Sequence, residues 1–181
     1  MSIRRFAIAA ALATAAAPAW AQMSVADSAA RREAMTRFAF AEGDWEGPAW
    51  YQVAQGQRDT LWQTERIRYK LRSQILLIEG LGRRGTRKTQ GDTAFNAVAI
   101  IDWLPERGYA MRSHTIDGRV GSFPIEMSDS GFVWGFEVPG GRIRYTMKLT
   151  PAGEWNERGE FSRDGERWFP TFEMLLRRTG G

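Results

Sequence analysis

The chain has 181 residues, a formal net charge of +4, no cysteine and a single histidine. The absence of cysteine excludes disulfides, thiolate metal sites and a cysteine nucleophile, and a single histidine excludes a multi-histidine zinc site. Charges of both signs are interspersed and no basic run stands alone, so the composition does not describe a nucleic-acid-binding surface.

The first residues, "MSIRRFAIAAALATAAAPAWAQ", start basic at Arg4 and Arg5, run through an Ala-rich apolar stretch and end on the small-x-small sequence Ala19-Trp20-Ala21. This is the pattern of a secretory signal peptide cut after Ala21 or Gln22, because the apolar run is too short to cross a bilayer. The expected organisation is a signal peptide at 1–22, a helix with its lead-in at 23–42 and one β domain at 43–178. The mature product is expected in the periplasm or outside the cell, with 23 basic residues against 21 acidic ones. No later run approaches the about 20 consecutive apolar residues of a membrane span, so none is expected.

From Ser24 to about Phe40, Ala34, Met35 and Phe38 recur at helical spacing behind a cap at Asp27. One short amphipathic helix is predicted. Beyond Gly43 apolar and polar residues alternate, which predicts strands near 45–53, 60–70, 74–82, 93–103, 109–115, 121–127, 132–138, 141–150, 155–162 and 168–177. "GRIRYTMKLT" is the clearest, with Ile143, Tyr145, Met147 and Leu149 on one face and Arg142, Arg144, Thr146 and Lys148 on the other. The joints between strands, among them "LPERG", "IDGR", "SDSG" and "PGG", have turn chemistry and are short. Short joints force antiparallel neighbours, and a meander of ten strands escapes its two open edges by closing into an up-and-down barrel.

"EGLGRRG", residues 79–85, contains G-x-G-x-x-G, the spacing of a dinucleotide fingerprint. That fingerprint needs a helix opening at the glycines, whereas "RRGTRKTQGD" is polar, interrupted by glycine and has no apolar stripe. Gly80, Gly82 and Gly85 are instead expected at a strand and its turn, where a bulge or close approach is needed.

The order "GDWEG … ERIRY … IEGLG … DGR … GFVWGF … IRYTMKLT … FEMLLRR", covering about Phe38 to Arg178, resembles a bacterial family of exported domains of unknown function with a lipocalin-like, calycin-like fold. The resemblance implies a fold and no established activity. More distantly, Gly43, Trp45 and Gly47 are similar to the Gly-x-Trp-x-Gly pattern of haem-binding nitrobindin-type barrels. That likeness implies a proximal histidine, for which His114 is the candidate.

Strand parity nominates lumen residues. In "LWQTERIRYK" the face Leu61, Gln63, Glu65, Ile67, Tyr69 is taken as inward, which puts Glu65 inside the barrel. In "QILLIEG", Ile75, Leu77 and Glu79 share a face, so Glu79 is expected near Glu65. Two buried carboxylates need a cation or a shared proton, and Arg112 and His114, on one face of "YAMRSHT", are the expected partners. Trp45, Trp134 and Tyr145 complete the candidate ligand contacts. No cofactor is predicted from the residues themselves; carboxylate-bound calcium stays an open alternative, and no G-x-S-x-G elbow accompanies a Ser-His-Asp reading. The expected role is binding of a small apolar or amphipathic molecule in the lumen. The alternatives are an envelope interaction or inhibitor module with a filled barrel, and a hydrolase or isomerase using lumen carboxylates.

Overall fold

The computed structural model describes residues 25–180 apart from Gln90, and the predicted signal peptide lies outside the described residues. Helix α1 (Val25–Met35) runs into a 3-10 turn (Thr36–Phe38) and is followed by ten strands. These are β1 (Gly43–Ala54), β2 (Gln57–Lys70), β3 (Ile75–Arg84), β4 (Thr93–Leu104), β5 (Gly108–Thr115), β6 (Val120–Met127), β7 (Gly131–Val138), β8 (Gly141–Leu149), β9 (Trp155–Ser162) and β10 (Phe169–Gly180). Asp27 falls inside the first turn of α1 instead of capping it, where its charge still complements the helix dipole.

Each strand pairs antiparallel with its sequence neighbours, and β1 pairs with β10, so the sheet closes on itself. The all-β, ten-stranded antiparallel barrel with a short N-terminal helix is the architecture expected from the alternation and the short joints. Closure leaves no edge strand. In β8 the predicted faces hold: Tyr145 and Met147 point inward and Arg142 and Lys148 are exposed.

The helix stoppers one end of the barrel. Met35, Phe38 and Ala41 are fully buried, and the Phe38 ring lies 5.5 Å from both Tyr109 and Phe132. The last carbonyls of a helix have no partner within it. Here two tyrosines from the barrel supply one: the Tyr109 hydroxyl donates to the Ala34 carbonyl at 2.7 Å and the Tyr69 hydroxyl to the Met35 carbonyl at 2.6 Å. Trp45 continues the plug, its indole N–H donating to the Ala41 carbonyl at 2.9 Å and its ring packed edge-on against Trp155. The Arg178 guanidinium covers the outer side of the Trp45 ring and donates to the Phe40 and Glu42 carbonyls.

The opposite end carries the β1–β2, β3–β4, β5–β6, β7–β8 and β9–β10 connections. Val53, Ile116, Val120 and Phe169 are exposed there. Among the described residues no helix is long and apolar enough to cross a membrane.

Candidate functional site

Between the aromatic stopper and the open end lies a cavity of about 690 Å³. It is floored by Phe132 and Trp155 and reaches Arg119 and Val120 at the mouth. One side of its wall is a cluster of aromatic rings. Phe123, Trp134 and Phe136 sit with ring centroids 5.1–6.1 Å apart, and Tyr145 stacks on Trp134 at 4.3 Å and 10°. Phe172 meets the Tyr145 ring edge-on.

Two carboxylates break this apolar surface. Glu65 on β2 accepts a hydrogen bond from Gln63 Nε2 at 2.7 Å. Burial pushes its carboxyl up to about 8, Gln63 opposes the rise and the charge of Glu157 adds to it. Glu157 stands three strands further round the wall, on β9. It accepts the indole N–H of Trp134 at 3.3 Å and of Trp155 at 3.2 Å, and burial raises its carboxyl as well, against the pull of those two donors. The Tyr145 phenol is pushed up to about 12 by burial and, secondly, by the Glu157 charge. Glu65 and Tyr145 thus face the lumen in their neutral forms at neutral pH, beside Glu157, whose hold on its proton burial strengthens.

The glycines of "EGLGRRG" make room for this arrangement. Gly80 lies directly across from Glu65, and a Cβ there would come within 2.9 Å of both carboxylate oxygens. A Cβ at Gly82 would stand 2.6 Å from the Gln63 side-chain oxygen. The close approach is to a carboxylate and an amide of the neighbouring strand, not to a pyrophosphate.

Of the residues nominated from sequence, Glu65, Trp134 and Tyr145 converge in the lumen. Trp45 is buried beneath the floor, in the stopper, and does not line the cavity. Glu79 is exposed on the outer wall opposite Arg66: β3 presents Leu76, Ile78, Gly80 and Gly82 inward, the reverse of the expected parity. A shift of one residue moves every side chain of a strand to the other face. Arg112 and His114 are also outside, because β5 turns Met111, Ser113 and Thr115 inward. Arg112 pairs with Asp102 at 2.7 Å on the outer wall instead of neutralising Glu65. His114 is exposed on the outer wall between Val98 and Val120, so it is not placed to be the proximal ligand of a haem held in the lumen. Among the described residues no group of three or more histidines and acids gathers that could hold a metal ion.

Gln63 and Glu157 were not nominated. Gln63 shares the inward face of Glu65, and the series Trp155-x-Glu157-x-Gly159 places Glu157 on the face that Trp155 anchors, with Arg158 exposed on the other. That alternation is the signal that finds it.

A closed antiparallel barrel with one stoppered end and a lined lumen is the class of protein these features define. The crystal structure of Rv2717c from M. tuberculosis is similar, with a TM-score of 0.58 and 7% sequence identity over 81% of this chain and 97% of that chain. At that identity the likeness shows the fold alone. No family model matches the chain, and no curated protein matches it.

Proposed function

We propose that this protein binds one small, apolar or amphipathic molecule in the barrel lumen. The observation that carries this is the cavity of about 690 Å³, within the range of small-molecule sites, lined by aromatic side chains with a few placed polar groups. The signal-like segment at 1–22 supports a periplasmic or secreted setting for that binding. A filled interaction module would need side chains in that lumen, although the exposed Val53, Ile116, Val120 and Phe169 at the open end are of the kind such a module presents.

A second reading is favoured by a specific observation, the pairing of Glu65 and Glu157 in one lumen. A carboxyl that keeps its proton up to about pH 8 is suited to act as a general acid in a hydrolase or isomerase.

The test is native mass spectrometry of the mature protein purified from its host, with titration of the purified barrel by Nile red, a neutral apolar fluorophore. The expected result is a stoichiometric extra mass lost on denaturation, or saturable Nile red binding at one site per barrel. Ala97→Trp, which projects into the lumen across from Gly80, should weaken Nile red by about tenfold or more while the protein still melts cooperatively. No bound mass together with Nile red binding that Ala97→Trp leaves unchanged would overturn the proposal.

A further inference from the structure

The lumen carries charge information that its apolar walls do not. Glu65 and Glu157 are each only 8% exposed, yet both face the cavity. Among the described lining residues Arg119 is the one basic side chain, and it stands at the mouth, ion-paired to Asp117 at 2.8 Å. Buried carboxylates without a cation are expensive, and although Gln63 donates to Glu65 and Trp134 and Trp155 donate to Glu157, none of these donors supplies a countercharge. The remaining wall favours the same sign: aromatic faces attract cations and repel anions, and Phe123, Trp134, Tyr145 and Phe172 all line the lumen.

We infer, building on the lumen-binding proposal above, that the ligand carries a protonated amine on an apolar body about the size of an aromatic ring with a short chain, and that Glu65 and Glu157 are the counter-charges for its head. The apolar body lies along the aromatic wall while the ammonium group reaches the carboxylates. Its arrival lets Glu65 release the proton that burial imposes on it in the empty lumen. A carboxylate ligand would add a third acid to a lumen whose one basic side chain stands at the mouth, and a neutral alcohol would leave the acids as they are. The outer surface does not account for such a preference, since basic residues outnumber acidic ones in the chain and an amine is repelled from it.

Three ligands of one skeleton separate the possibilities: phenylbutylamine, phenylbutanol and phenylbutyrate, each competing with Nile red for the purified barrel. The expected order places the amine about tenfold or more ahead of the alcohol, with the acid weakest. In the double variant Glu65→Gln, Glu157→Gln, which keeps side-chain shape, the amine and alcohol should bind equally while alcohol affinity stays as in the parent. If Nile red binds and the alcohol or acid competes as well as the amine, the amine assignment falls and lumen binding stands. An amine advantage that persists in the double variant also overturns the assignment. If neither Nile red nor any of the three binds, lumen binding itself fails and the assignment goes with it.

Discussion

At the residue scale, Glu65 trades stability for its position. Its carboxyl sits at about 8 in the folded barrel against an ordinary 4.5, so between those values the folded state holds a proton that the unfolded chain has lost. Stability is therefore complete below about 4.5 and declines as pH rises toward 8, by up to about 1.4 kcal/mol per pH unit from this group. Glu157 acts in the same direction. Urea unfolding of the ligand-free protein from about pH 5 to about pH 8 should show the decline, and Glu65→Gln should flatten it and exceed the parent in stability at the alkaline end. A Glu65→Gln profile parallel to the parent's would mean that the carboxyl is not desolvated. The same residue explains why β3 tolerates two inward glycines in a strand otherwise rich in Leu and Ile. The space they leave is occupied from across the ladder by Glu65 and Gln63.

At the element scale, α1 is held by hydrogen bonds that end on its own unpaired carbonyls. Tyr69→Phe and Tyr109→Phe each remove one hydroxyl and leave a ring in place, so each should cost about 1 kcal/mol in thermal or denaturant unfolding, with the far-ultraviolet spectrum unchanged. No loss in either variant would mean that water satisfies those carbonyls equally well. Elements also show where the sequence was legible. Strand β8 could be read outright because its apolar residues stand at every second position and Arg, Thr and Lys at the others. Strand β3 could not, since Ile75, Leu76, Leu77 and Ile78 are four apolar residues in a row and fit either parity. The closed barrel decides in favour of Leu76 and Ile78, and Glu79 goes outside with Leu77. In β5 both faces carry polar residues, and the small Ser113 and Thr115, not the charged Arg112 and His114, are the ones that fit a lumen. Glu157 stands between Asn156 and Arg158, and a polar stretch of this kind does not by itself show which of its residues is turned inward. Fold class was accessible from period and turn chemistry; the carboxylate pair depends on parity in strands whose two faces differ little in hydropathy.

At the scale of the whole molecule, nine of the ten strand pairings join neighbours in sequence, and the tenth, β1 with β10, joins opposite ends of the chain. The local hairpins need little loop closure, whereas this seam closes the longest loop of the chain and is therefore expected to form after them. Met174, buried and registered with Ala49 across the seam, reports on it. Met174→Ala should accelerate unfolding in stopped-flow experiments by most of its equilibrium cost, about 2–5 kcal/mol, and leave the folding rate nearly unchanged. A slowed folding rate instead would place the seam in the folding nucleus. Closure has a second consequence, for residence time. A guest held in the lumen as proposed has one standing exit, past the rim of Val53, Ile116, Val120 and Phe169, because every other way out requires two paired strands to part. Its departure would then report on the rim and not on the staves.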